Sequence, residues 1–168
     1  MSAPADPRLI LREEELDSGL ELLLLAEAAV WAAVDAALES ETPAGKKAGL
    51  GRSHWRAALL LRRRPGLGVQ DLAKMTGLTK QAASRTFSDL EKLGLAHKTG
   101  GEFDARRRLV ALTEEGRAFE ARVSERLRAL VAKAWREGGL DGVPGARRIL
   151  NALAGPRLGL GLSRREAS

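Results

Sequence analysis

The chain has no cysteine and no tyrosine among its 168 residues, and only two histidines. The absence of cysteine excludes disulfide bonds, thiolate metal ligands and thiol nucleophiles. His54 and His97 lie far apart, and neither forms a metal-binding spacing with a carboxylate, so we expect no metal and no cofactor. The sequence also lacks a phosphate-binding loop, a nucleophile elbow and a convincing acid pair, which predicts that the protein is not an enzyme.

Long uncharged apolar runs are absent as well. The most apolar stretch, residues 20–38, is interrupted by Glu21, Glu27 and Asp35, which makes it too charged and too short to cross a bilayer. Residues 1–17 lack the basic and apolar regions of a secretory signal. We therefore expect a cytoplasmic protein without a membrane partner, and the length predicts one folding unit with its own core.

Acidic side chains are scarce in the middle of the chain. Residues 45–112 carry 15 basic and 5 acidic side chains, whereas residues 1–44 carry 2 and 10, and residues 113–168 carry 11 and 7. The positive charge is therefore concentrated in one block. Such a block favours binding to a polyanion, because neutralised phosphates release their counterions. An ordinary solvated surface is the alternative interpretation of charge alone.

Apolar residues recur at helical spacing through most of the chain, which predicts a mainly α protein. The predicted helices are, in order, 16–38, 53–64 with Ser53 as N-cap, 69–76, 79–93, 113–137, and a last helix that starts at Pro144 after the glycines at 138–142. We expect the last helix to bury Ile149, Leu150 and Leu153.

Two of these helices, 69–76 and 79–93, are joined by a short turn at Gly77, as in a helix-turn-helix. Thr79 is the predicted N-cap of the second helix. Its predicted buried face comprises Ala83, Phe87, Leu90 and Leu93. No acidic residue lies between positions 75 and 88, whereas an ordinary solvated face usually includes some. We therefore predict DNA contacts from the outer face, at Thr79, Lys80, Gln81, Ser84, Arg85 and Ser88.

A short hairpin is predicted directly after this helix. Residues 95–99 and 107–112 have strand character and flank a turn-rich segment. A recognition helix followed by a hairpin is a winged helix, so the expected fold class is mainly α with a small β-hairpin wing. Further predicted DNA contacts are the wing cations Lys98, Arg106 and Arg107. Asp104 is expected either to support the wing by pairing with a basic neighbour or to be a simple turn residue.

These segments together resemble the MarR family of winged helix-turn-helix transcription regulators. The resemblance rests on residues 78–85 (LTKQAASR), residues 89–95 (DLEKLGL), and D-A-R at 104–106 followed by L-T-E-E-G at 112–116. It implies that Arg85 contacts DNA, that Arg106 enters the minor groove and that Asp104 is its structural partner. Residues 51–56, together with residues 63–66 and 79–81, are further similar to PetP-like members of the family.

The resemblance also implies a homodimer built from the terminal helices. The first and last helices offer more apolar surface than one winged helix covers, although a monomer with an internal helical lid is the alternative. The expected organisation is an N-terminal dimerisation helix at 1–44, the winged helix-turn-helix domain at 45–112, C-terminal dimerisation helices at 113–155 and a flexible tail at 156–168.

We therefore predict a transcription regulator, a repressor, whose homodimer binds a pseudo-palindromic operator in double-stranded DNA. The resemblance places a small-molecule effector pocket between the dimer helices and the DNA-binding lobe. Its candidate residues are Trp31, His54 and Trp55, each of which could instead be ordinary core. The alternative function is a winged-helix module that binds another protein and not DNA.

Overall fold

The computed structural model describes residues 12–41, 49–99 and 109–158. The elements follow in the order α1 (Glu13–Glu41), α2 (Arg52–Arg63), α3 (Val69–Thr76), α4 (Lys80–Lys92), β1 (Ala96–Thr99), β2 (Leu109–Leu112), α5 (Glu114–Ala154) and a 3₁₀ turn (Gly155–Leu158). The two strands pair antiparallel. The predicted fold class, mainly α with a β-hairpin after the helix-turn-helix, is confirmed.

The helix-turn-helix forms as its sequence predicts. Gly77 takes the left-handed conformation that the turn needs, with φ of 73°. The Thr79 hydroxyl accepts the Ala82 N–H at 3.1 Å and so caps α4. The expected burial of Leu93 is wrong: this side chain is 44% exposed. Because α4 ends at Lys92 and the chain turns there, Leu95 enters the core instead.

The junction between the hairpin and α5 explains the L-T-E-E-G segment. Thr113 caps α5 by accepting the Gly116 N–H at 3.0 Å, and it donates its own hydroxyl to the Gly94 carbonyl at 2.7 Å. A Cβ on Gly116 would lie 1.8 Å from the carbonyl oxygen of Leu95. The motif therefore provides a cap and a close helix-to-loop approach that admits no side chain.

The hydrophobic core lies among α2, α4, the hairpin and the start of α5, and it takes in only the C-terminal part of α1. α1 extends three residues beyond the predicted range at each end, and α2 starts from Gly51 as its N-cap, so the expected Ser53 cap is wrong. The N-terminal part of α1 exposes Leu16, Leu20, Leu22, Leu23, Leu24 and Leu25. Buried core residues include Val34, Leu38, Trp55, Leu61, Leu67, Phe87, Leu90, Val110, Phe119 and Val123.

α5 is interrupted at Gly139, where φ is 70° and ψ is 171°. The predicted glycine break is thus confirmed, but the distal segment starts at 140 and includes Pro144, since a proline near a helix start costs few hydrogen bonds. The expected burial of Ile149, Leu150 and Leu153 is wrong for the single chain, in which all three are exposed. The predicted tail begins with the 3₁₀ turn, and residues 159–168 lie outside the described residues.

Candidate nucleic-acid interface

The outer face of α4 is polar, basic and open to solvent. Lys80, Gln81, Ser84 and Arg85 are exposed, and Ser88 is half-buried at the edge of the same face. In the part of the chain that the structure describes, neither Lys80 nor Arg85 forms a salt bridge. Their cationic groups are therefore available to a polyanion without breaking an internal ion pair.

The orientation of this face follows from the packing of the opposite side of α4. The buried residues of α4 are Ala83, Thr86, Phe87 and Leu90, which recur at helical spacing. The turn before α4 is held from α2, where Arg56 donates to the Thr76 carbonyl at 2.6 Å. Thr79 is also exposed, and its hydroxyl keeps its own proton for donation while its oxygen caps the helix.

Lys98 on β1 differs from Lys80 and Arg85 because it is already paired. Its ammonium lies 3.2 Å from the Glu91 carboxylate and 5.8 Å from the centre of the Phe87 ring. Both partners belong to α4, so Lys98 ties the first wing strand to the predicted recognition helix. The structure thus gives this predicted DNA contact a local positioning role.

The predicted wing residues Asp104, Arg106 and Arg107 lie outside the described residues, between β1 and β2. The base of the hairpin is described and is fixed beside α3. There the Val110 N–H donates to the Leu67 carbonyl at 3.0 Å. The wing contacts therefore stay predictions, and the structure places the start and end of the wing next to the helix-turn-helix.

A cleft of about 600 Å³ opens between α2 and α5. Of the three predicted pocket residues, only Trp55 lines it. Its apolar walls are formed by Trp55, Leu59, Leu127, Val131, Ala132 and Trp135, and its polar groups belong to Arg62, Arg63, Arg128, Glu120 and Ser124. This cleft combines apolar walls with a few charged groups, which is typical of small-molecule sites.

Trp31 lies on α1, behind Trp55 and outside the cleft lining. The two indole rings meet edge to face, with centroids 6.2 Å apart. The guanidinium groups of Arg52 and Arg56 lie 5.2 Å and 5.5 Å from the Trp31 ring centre. Arg52 also forms a bridge from α2 to Asp35 on α1, with an N–O distance of 2.5 Å. Trp31 therefore joins α1 to α2 and does not line the cleft.

His54 is buried in the first turn of α2 and also lies outside the cleft lining. Its Nδ1 accepts the Gly51 N–H at 2.9 Å, which places the ring proton on Nε2. Nε2 lies 3.6 Å from the Asp89 carboxylate on α4. His54 thus caps α2 and faces the predicted recognition helix.

Glu120 and Ser124 lie at the floor of the cleft and are not among the residues predicted from the sequence. Both are buried on α5, and Glu120 is 1% exposed. The Trp55 Nε1–H donates to the Ser124 hydroxyl at 3.0 Å, and that hydroxyl donates to one oxygen of Glu120. Arg62 donates to the other oxygen of Glu120. The available signal was two polar residues, four apart, within the apolar stripe of α5.

Residues 12–41, 49–99 and 109–158 contain no group of three or more histidine, aspartate or glutamate residues that could hold a metal ion. They also contain no helix whose length and apolar character would let it span a membrane.

A short helix, a glycine turn and a solvent-exposed basic helix, followed by a hairpin, define a winged helix-turn-helix protein. The sequence profile of the MarR family matches residues 48–107. The HTH-type transcriptional regulator PetP of Rhodobacter capsulatus is 33% identical over 150 residues, which span 89% of this chain and 86% of that protein. The chain therefore belongs to the MarR family of transcriptional regulators, as its sequence motifs predict.

Solved structures agree with this assignment. CouR from Rhodococcus jostii, bound to p-coumaroyl-CoA, is 28% identical with a TM-score of 0.65, over 80% of this chain and 90% of CouR. A Mycobacterium tuberculosis MarR family protein in complex with p-aminosalicylic acid is 26% identical with a TM-score of 0.57, over 79% of this chain and 95% of that one. NadR in complex with 4-hydroxyphenylacetate shares the fold at 22% identity, with a TM-score of 0.69 over 91% of this chain and 99% of NadR.

Proposed function

We propose that this MarR family regulator is a homodimeric repressor that binds a pseudo-palindromic operator in double-stranded DNA and is released by a small molecule. The observation that carries the DNA-binding part is the outer face of α4. Four side chains there are exposed, and two are cations without a salt bridge among the described residues. Gln81 and Arg85 have the donor groups that pair with adenine and guanine edges in the major groove.

The unpartnered apolar faces support the homodimer. Six leucines of the N-terminal part of α1 are exposed, and so are Leu140, Ile149, Leu150 and Leu153 of the distal part of α5. Full burial of one such side chain stabilises by about 1.5–3 kcal/mol. A second copy that covers both faces would form a two-fold dimer with two α4 helices, which suits an inverted repeat. The proposal includes dimerisation by residues 1–44 and 113–155 and operator binding by residues 45–112.

The cleft between α2 and α5 is the proposed effector site. Two relatives were solved with an organic acid or its coenzyme A thioester bound, p-aminosalicylic acid and p-coumaroyl-CoA. α2 supplies Trp55, Leu59 and Arg62 to the cleft, and the same helix holds the turn before α4 through Arg56 and Thr76. A small molecule that displaces α2 would therefore move α4 and change the spacing of the two reading helices.

The test is selection of bound duplexes from random DNA by the full-length protein, followed by fluorescence anisotropy on the selected site. We expect an inverted repeat, and the Arg85→Ala variant should bind it about tenfold more weakly, because one good base or phosphate contact is worth about 1–3 kcal/mol. Affinity should fall steeply with salt, as expected when several phosphates are neutralised per dimer. Arg136→Ala removes an exposed cation of α5 and is the matched control, which should bind like wild type.

Three results would contradict this proposal. One is a selection that enriches no duplex, which would favour a winged helix that binds protein. Another is an enriched site without two-fold symmetry. The third is equal loss of affinity in the Arg85→Ala and Arg136→Ala variants, since the effect would then reflect net charge and not the α4 face.

A further inference from the structure

The floor of the cleft contains a buried charge. Glu120 on α5 is 1% exposed and is the one buried carboxylate among the described residues. Its two oxygens have different partners: one accepts from Arg62 on α2, and the other accepts from the Ser124 hydroxyl at 2.5 Å. A buried carboxylate without such partners is strongly unfavourable, so these contacts hold the two helices in one arrangement.

The same carboxylate also fixes an aromatic wall of the cleft. The Ser124 hydroxyl that donates to Glu120 accepts the Trp55 Nε1–H at 3.0 Å. The indole is therefore held in place at its polar edge, while its ring lines the cleft. Glu120 thus sets the position of a cation and, through Ser124, of an aromatic ring.

Arg62 retains donors for a bound molecule. A guanidinium has five N–H donors, and the contact to Glu120 uses one of them. The Arg62 side chain is 42% exposed and lines the cleft together with Arg63 and Arg128. Three guanidinium groups against one carboxylate leave the cleft positive, and its other walls are apolar, which suits an amphipathic organic anion.

We propose that Glu120 is a positioning residue for anion recognition in this cleft: it holds the Arg62 guanidinium and the Trp55 indole where an aromatic carboxylate contacts both. Without Glu120, Arg62 would be a mobile surface arginine whose ordering reduces the affinity. This inference rests on the proposed effector role of the cleft, and it assigns the preference for anions to a residue that the bound molecule itself does not touch.

The test compares naphthoate with its neutral amide, naphthamide, by isothermal titration calorimetry on the full-length protein without DNA. Wild type should bind naphthoate at least about tenfold more tightly, because charge-assisted hydrogen bonds are about twice as strong as neutral ones. Glu120→Gln should weaken the binding of naphthoate about tenfold. It should change the affinity for naphthamide by less than about twofold, since the apolar contacts remain. Glutamine keeps the shape and can still accept from Arg62 and donate to Ser124, so the fold should persist.

Glu125→Gln is the matched control. Glu125 is an exposed carboxylate of the same helix and does not line the cleft, so its substitution changes the net charge equally. It should bind both probes like wild type. The inference is overturned if Glu120→Gln binds naphthoate as well as or better than wild type. Glu120 would then contribute nothing to naphthoate binding, or would compete with naphthoate for Arg62. The inference is also overturned if both probes weaken equally, which indicates a general loss of structure.

Arg62→Lys gives a second test from the exposed side of the pair. Lysine keeps the charge, but its compact ammonium lacks the planar fork that spans two partners. It should weaken naphthoate and leave naphthamide unchanged, and wild-type binding of naphthoate would overturn the inference. If wild type binds neither probe, the effector role of the cleft and this inference both fail, whereas operator binding, measured separately, is unaffected.

Discussion

The DNA-binding lobe comprises α2, α3, α4, the hairpin and the start of α5. It differs from the outer parts of the terminal helices in how it buries apolar surface. In the lobe, side chains such as Leu67, Leu90 and Val110 are buried within the chain itself. In the N-terminal part of α1 and the distal part of α5, leucines such as Leu24 and Leu140 are 67% and 93% exposed. The lobe therefore buries its apolar side chains within one chain, whereas the terminal helices leave theirs exposed in the single chain, where the proposed dimer would cover them.

The two regions also expose different chemistry. The lobe presents the outer face of α4, with polar and cationic side chains, and the terminal helices present leucine and isoleucine. Polar cations stay hydrated until a polyanion arrives, but a large apolar face is unfavourable in water at all times. Under the proposed function, this contrast suits transient binding by the lobe and permanent association by the terminal helices.

The largest effect is expected from breaking the association of the terminal helices. Leu20→Glu combined with Leu24→Glu places carboxylates on one exposed apolar face of α1. In a homodimer these charges would be buried without partners, which should weaken association more than about a thousandfold. Analytical ultracentrifugation should show a dimer for wild type and a monomer for the variant. The monomeric variant should keep the helical circular dichroism spectrum of wild type, because Leu20 and Leu24 are not part of the buried core.

Leu93→Glu is the control for this experiment. Leu93 is an exposed leucine of the lobe, 44% exposed at the end of α4, so the same kind of substitution should leave the dimer intact. The proposed contrast fails if the α1 variant remains dimeric or if the control becomes monomeric. The exposed leucines of α1 would then not be the surface that a second copy covers.

A smaller effect is expected from overpacking the interior of the lobe. Gly116→Ala would place a Cβ 1.8 Å from the Leu95 carbonyl oxygen, a backbone atom with little freedom to move. We expect a loss of about 3 kcal/mol, close to the upper end for overpacking, and a fall in Tm of about 6–12 °C. Differential scanning calorimetry measures both. Gly138→Ala, with no atom within 4 Å of the added Cβ, is the control and should be neutral or stabilising.

Local signals predicted most of the lobe. The bounds of α3, the Thr79 and Thr113 caps and the break in α5 follow from glycine, threonine and apolar spacing, which act over a few residues. Within the lobe, the errors concern helix ends. Leu93 has the correct spacing for burial, but α4 stops before it, and Gly51 caps α2 through the His54 ring, a contact that the preference for serine caps does not anticipate.

The cleft could not be predicted in the same way. It depends on which α2 side chains face which α5 side chains, and periodicity gives the buried face of a helix without naming its neighbours. Trp55 was predicted at the site, but its partner Ser124 lies 69 positions away. Glu120 was not among the predicted site residues, because a sequence does not show that Arg62 lies opposite it.

The smallest effect is expected at the bridge between the two regions. Arg52 on α2 donates two hydrogen bonds to Asp35 on α1, at 2.9 Å and 2.5 Å, and this contact lowers the pKa of the Asp35 carboxyl. A lowered pKa means that the bridge stabilises the fold at neutral pH and stops doing so as the pH falls through the lowered value. Because both groups are solvent-exposed, Asp35→Asn should lower the Tm at pH 7 by only about 1–2 °C. The difference from wild type should shrink once the pH drops below about 4. A Tm difference that persists or grows in acid would show that Asp35 acts through packing. In that case α1 would be held to the lobe by packing contacts, as the elements within the lobe are held to one another.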